Sequence, residues 1–205
     1  MYIRLRYNIL TLLLCFVVLL FPLRLTAQNR LSDSDRRNDF KCTLLSLGSG
    51  STRITYERAF SERHSGEVTL GLIGLGWDFM NQTRSKGALV KLSYKWRLIP
   101  MGSSDSWLAG FYVKPEFVWA QFMYGSGRRD YYGEPPKCPE RTLQAALLAE
   151  CGYQVVLDWF VFDVYAGLGP SVGTGNENNY YHSFMLYPAD GWLAFTAGFR
   201  VGVAF

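Results

Sequence analysis

The chain has 205 residues, of which 49% are hydrophobic, 16% aromatic and 19% charged, with 20 glycines, 13 tyrosines and 14 phenylalanines. That length suits one domain with a core, and the composition excludes a disordered tail, a coiled coil and a collagen-like chain. A mean hydropathy of +0.00 argues against a bundle of membrane-spanning helices, while a formal charge of +4 raises the question of nucleic acid.

Residues 1–27 have the layout of an export signal. Arg4 and Arg6 precede an uncharged run from Ile9 to Phe21, Pro22 follows, and Leu25-Thr26-Ala27 leads into Gln28. A positive start, a short apolar stretch and small residues near the cut describe a secretory signal peptide. The run falls short of the roughly 20 residues of a spanning helix, which argues against a permanent anchor. Leu14 before Cys15 argues against a lipoprotein. Cleavage between Ala27 and Gln28 is expected. It removes Arg4, Arg6 and Arg24 and no acid, leaving 18 Lys+Arg against 17 Asp+Glu. The densest basic clusters left, Arg36-Arg37 and Arg128-Arg129, are only pairs. A nucleic-acid footprint needs a clustered basic face, so no nucleic-acid partner is expected.

Residues 28–38 are polar and read as a mobile lead-in, with the folded domain at 39–205. From Phe40 onward apolar or aromatic residues recur at every second position, the period of a strand. Eight strands are expected, at about 40–47, 52–60, 67–79, 87–97, 107–123, 141–157, 160–172 and 192–205. In 88–96, Ala88, Val90, Leu92, Tyr94 and Trp96 fall on one side, and Leu89, Lys91, Ser93 and Lys95 on the other. The same division puts Phe111, Val113, Pro115, Phe117 and Trp119 opposite Tyr112, Lys114, Glu116 and Val118. The count of eight needs a break at Gly48-Ser49-Gly50-Ser51. Read unbroken, 40–60 would leave seven strands, and length alone would also allow ten.

A soluble sandwich shares this period. Large apolar residues on one side of each strand and small or charged ones on the other suit instead a barrel with lipid outside and polar groups inside. Trp77, Trp96, Trp107, Trp119, Trp159 and Trp192 lie near strand ends, where aromatic girdles belong. The expected fold is all-β: a closed antiparallel up-and-down transmembrane β-barrel of eight strands. Short connections at 61–66, 98–106 and 158–159 would face the periplasm. Those at 48–51, 80–86, 124–140 and 173–191 would face outward. A soluble, lipocalin-like barrel is the alternative, with its large aliphatics turned inward.

With its signal and the closing set Phe195, Phe199, Val201, Val203 and Phe205, the chain resembles small outer-membrane β-barrel proteins. The architecture is similar to the transmembrane domains of OmpA and OmpX. The composition and the Ala27-Gln28 cut look like outer-membrane barrels of Bacteroidota. The resemblance implies residence in the bacterial outer membrane, contact with its lipid, and insertion by the barrel assembly machinery. It also implies that Phe199, Val201, Val203 and Phe205 form the signal that machinery reads.

Nine charged residues fall on the inward sides: Glu57, Glu67, Lys91, Lys95, Lys114, Glu116, Glu150, Asp163 and Arg200. An eight-stranded interior is just wide enough to be filled by side chains. Both signs are present, so a salt-bridged plug is favoured over a narrow transporter or channel. A lipid-modifying enzyme would want Ser, His and a carboxylate converging. His64-Ser65 and His182-Ser183 are adjacent pairs, whose side chains point to opposite faces of a strand. No catalytic residue, cofactor or metal ligand is expected. Gly71, Gly74, Gly167 and Gly169 lie within strands with no helix after them, so they read as room for larger inward residues rather than a dinucleotide loop. Cys42, Cys138 and Cys151 are placed too far apart to pair readily. Tyr131, Tyr132, Tyr180 and Tyr181, in the two long outer loops, are the candidates for contact with a glycan or a partner protein. A structural or surface-interaction role follows.

Overall fold

A computed structural model describes residues 36–78, 86–100, 106–124, 140–174 and 193–205. Eight antiparallel strands follow one another round a closed barrel. They are β1 (Asn38–Thr43), β2 (Ser49–Ala59), β3 (His64–Asp78), β4 (Lys86–Pro100), β5 (Gly110–Tyr124), β6 (Glu140–Leu157), β7 (Phe160–Thr174) and β8 (Leu193–Ala204). Strand β1 pairs with β2 on one side and with β8 on the other, from Asp39↔Ala204 to Thr43↔Arg200. Closure removes both free sheet edges along that seam. The chain ends lock it: Asn38 and Phe205 exchange backbone hydrogen bonds of 3.1 and 2.8 Å, and the Phe205 ring stacks on Phe40 at 5.6 Å.

The break between the first two strands is not the glycine-serine turn read from the sequence. It is one helical turn, α1 (Leu44–Gly48), and β1 stops at Thr43. Leu44-Leu45 interrupts the alternation, so a continued strand would turn one leucine into the polar lumen. The Ser46 hydroxyl instead donates back to the Thr43 carbonyl at 2.7 Å. Gly50, at φ 76°, then brings the chain into β2 in a region that suits glycine. The strand count of eight stands.

Residues 36–38, assigned to the mobile lead-in, are docked. Asn38 is already in β1, Arg37 accepts from the Ala59 amide at 2.7 Å, and Arg36 meets Asp158 at 2.8 Å. Asp158 opens the two-residue β6–β7 turn at φ 55°, a conformation aspartate tolerates better than most side chains.

The β2–β3, β4–β5 and β6–β7 connections and both ends of the barrel chain share one rim, and α1 lies at the other. Strand β5 begins at Gly110 rather than 107, because Ser106–Ala109 folds over the first rim. Leu108 and Ala109 bury there against Ala59, Val156, Val161 and Ala204. Trp107 packs on this cap, with the Arg37 guanidinium 3.9 Å above its ring, so it is no girdle residue. Tyr94, Trp96, Tyr153, Trp159 and Phe160 are exposed on the outer wall near that rim. The side chain of Trp77 and all of Trp192 lie outside what is described.

The outer wall is apolar and exposed: Leu70 at 61%, Leu147 at 55% and Val172 at 70%. The lumen is filled in layers. Above the cap lies a slab of charged side chains. Beyond it come apolar groups, Val118, Ala146, Leu148 and Ala194, then Ile73, Leu89, Ala120 and Phe122. The interior thus also holds apolar groups, in keeping with the inward side assigned to Leu89 and Val118, beside buried Gln144, Ser171 and Thr196.

Candidate functional site: the buried charge network

Inward positions of a small barrel converge on its axis, so residues far apart in sequence meet there. All nine charged residues assigned to the lumen are buried. Four more join them: Asp39, Lys41, Arg53 and Arg97. The buried set therefore holds six carboxylates and seven cations among the described residues. Alternation could have found the four, since Asp39 and Lys41 flank Phe40, Arg53 precedes Ile54, and Arg97 follows Trp96. They sit at strand ends, where strand boundaries read from sequence are least certain.

The register explains the arrangement. Glu57 lies directly across from Glu67 between β2 and β3. Like charges opposite one another are unfavourable, and cations from other strands resolve the clash. Lys41 Nζ donates to Glu57 and, at 2.8 Å, to Glu67. Lys95 Nζ lies 2.8 Å from Glu57 and 2.9 Å from Glu67. Arg97 also donates to Glu57, as does Ser65 at 2.5 Å. Lys114 reaches Glu67 at 2.6 Å, Glu116 at 3.0 Å and Glu150 at 3.2 Å. Lys91 takes Glu116 at 2.6 Å. Two ion pairs are direct neighbours across strands: Lys114↔Glu150 and Asp163↔Arg200.

Neutral groups complete the slab. Gln154 accepts from Lys95 at 2.7 Å and donates to Asp39 at 2.9 Å. Tyr112 donates to Asp163 at 2.7 Å, and its ring lies 4.0 Å under the Lys95 ammonium. Tyr165 similarly faces Arg200 at 4.3 Å. Glycines make room for these groups. A Cβ on Gly152 would stand 2.4 Å from the Tyr112 hydroxyl, and one on Gly167 would stand 2.5 Å from Glu150 Cγ.

Burying an ion costs several kcal/mol unless a partner and hydrogen bonds repay it. Here the carboxylates share cations drawn from β1, β4, β5 and β8. The network fixes register more than it adds stability: a one-residue slip of any contributing strand would turn its charges outward. Chemically it is a dense set of buried ion pairs, in which some polar atoms, Arg97 Nε and Glu150 Oε1 among them, make no hydrogen bond among the described residues.

The other candidates separate. His64 lies on the outer wall beside Tyr94 and Trp96, at 5.7 and 6.4 Å between ring centroids. Ser65 is turned into the lumen toward Glu57, so the two form no Ser–His pair. Cys42 is buried and Cys151 exposed. No group of three or more metal-ligating side chains occurs among the described residues. Of the closing set, Phe199 and Val201 are half-buried on the outer wall and Val203 is buried. Tyr131, Tyr132, Tyr180, Tyr181, His182, Ser183 and Cys138 lie outside the described residues, as does the 1–27 segment. No family model, curated protein or solved structure matches the chain.

Proposed function

We propose that the protein is an outer-membrane β-barrel with an occluded lumen, which serves as a scaffold for interactions made by its long loops. The observation that carries this reading is the inverted distribution of side chains. Thirteen charged residues are buried inside, while leucines, valines and aromatics cover the outside. Water could not favour that outer surface; hydrocarbon would. Strands β3, β4, β5 and β7 have 15 residues each, more than the 9–11 needed to cross a tilted path through the bilayer core. The aromatic rim near the short connections suits a lipid–water interface.

Occlusion is supported by packing. Lys41, Lys95, Lys114, Glu57 and Asp163 are at most 1% exposed, and Leu108 covers one mouth at 0%. A pathway for ions would leave such groups wetted. With the lumen closed, the 125–139 and 175–192 segments are left as the interaction elements, through Tyr131, Tyr132, Tyr180 and Tyr181. The partner proposed is a surface glycan or protein, and the role is non-enzymatic. Cells expressing the protein should hold it in the outer-membrane fraction, released by detergent and not by salt. They should lose adhesion to glycan-coated surfaces when the four tyrosines are replaced by alanine. Recovery in the soluble fraction would refute the membrane reading, and unchanged adhesion the loop reading.

A further inference from the structure

The outer wall is not evenly covered. A trough with a volume of about 610 Å³ crosses it near the rim that carries the short connections. That volume lies within the range of small-ligand sites, roughly 300–1,000 Å³. One side of it is a continuous row over five strands: Tyr56, Val68, Leu92, Phe117 and Leu147, in register from β2 to β6. At roughly 4.8 Å between strands the row is about 20 Å long. The next row toward the rim holds Arg58, Gly66 and Tyr94, again in register. Gly66 has no side chain, and the Phe60 ring stands 3.2 Å from the place a Cβ would take. Arg58 is the outward-facing charge of the trough. Glu67, the other charged residue along it, turns its carboxylate to Lys41 and Lys114 in the lumen. Arg58 is exposed on β2 between the outward residues Tyr56 and Phe60, and it enters none of the ion pairs among the described residues. Beside it in register, Asn38 accepts from the Tyr56 hydroxyl at 2.8 Å through Oδ1, which leaves its amide N–H groups to donate.

We propose that the trough holds one glycerophospholipid molecule of the leaflet beside that rim, with its phosphate on Arg58 and Asn38 and one acyl chain along the row from Tyr56 to Leu147. The proposal rests on the membrane reading above and adds a specific lipid site to it. An arginine set in a band of apolar and aromatic side chains needs a counter-charge where hydrocarbon surrounds it. A phosphate diester supplies that charge with oxygens that match the guanidinium fork. The row has the length for a single chain, since each leaflet fills roughly half of the about 30 Å hydrocarbon core. A second copy of the chain packed on this face would cover Arg58 with no outward carboxylate along the trough to meet it, which is costly.

The test uses the full chain folded in detergent, with phosphatidylglycerol as the probe and native mass spectrometry as the readout. One phosphatidylglycerol should stay bound per barrel, and diacylglycerol of the same chains, which lacks the phosphate, should be lost. Arg58→Gln should weaken the complex roughly tenfold, the scale of one hydrogen bond to a charged group. Leu92→Trp, which places an indole in the trough from an exposed position, should weaken it comparably. Lys86→Gln, at an exposed cation on the opposite rim, should leave it unchanged. Both trough positions lie on the outer wall, so the variants should keep the folded band on an unheated gel. Equal lipid retention by all the variants, equal binding of diacylglycerol, or a dimer that excludes lipid would overturn the proposal. Lipid retention is read on purified protein and location on cell fractions. Protein found in the outer membrane whose lipid binding ignores Arg58 sinks this site alone, whereas recovery in the soluble fraction sinks the membrane reading beneath it.

Discussion

Glu67 meets four cations, Lys41, Lys95, Lys114 and Arg200, within 3.4 Å, and also accepts from Ser93 at 3.1 Å. Removing its charge leaves those cations crowded in a low-dielectric interior. Glu67→Gln should therefore lower unfolding stability by about 3–5 kcal/mol, the range for breaking a buried ion network from one side. Urea titration of the protein folded in lipid vesicles measures it, and a loss below about 1 kcal/mol would show the network to be loosely hydrated. Overpacking is the second sensitivity. In Gly152→Ala the new methyl meets the Tyr112 hydroxyl and, at 2.6 Å, the Val164 carbonyl, so backbone must shift. A destabilisation of about 1–3 kcal/mol is expected in the same titration. Nine of the thirteen buried charges were legible as inward positions in the sequence. Their partners were not, because alternation says which side a residue faces and nothing about which strands meet across the axis.

Among the elements, the β1–β8 seam and the Ser106–Ala109 cap depend on single residues. Phe205 joins the seam by two backbone hydrogen bonds to Asn38 and by its ring on Phe40. Phe205→Ala should reduce the amount of protein inserted in the outer membrane, and Phe205→Trp should retain it, as read on a gel that separates folded from heat-unfolded barrel. Equal insertion of all three would remove Phe205 from any assembly signal. Leu108 fills the mouth of the barrel among Ala59, Val156 and Val161. Leu108→Ala should cost about 2–5 kcal/mol, the usual range for a buried leucine. The strands were readable from period-2 alternation because one face of each carries apolar side chains on the outer wall and the other turns charged or small ones into the lumen. The cap was not: Trp107-Leu108-Ala109 has the composition of a strand start, and only the Gly110 hinge at φ 133° and the space at the rim turn it inward. Helix α1 escaped for a related reason, since five residues carry no period that could distinguish a turn of helix from a strand end.

For the whole molecule, the described residues divide between an apolar wall outside and an ionic slab within. The slab lies between an apolar cap and a loop-side stretch where Val118, Leu148, Leu89 and Phe122 pack beside buried Gln144 and Ser171. On the proposed reading such a barrel serves as a register-locked frame, with interactions left to the connections at the α1 rim. The most direct check is single-channel recording in a planar bilayer after insertion of the folded protein has been verified by its protection from protease. The proposed occlusion predicts a flat baseline at all moderate voltages. Discrete, sustained current steps carried by the intact protein would contradict it, and would mean that the slab of ion pairs is the lining of a pore.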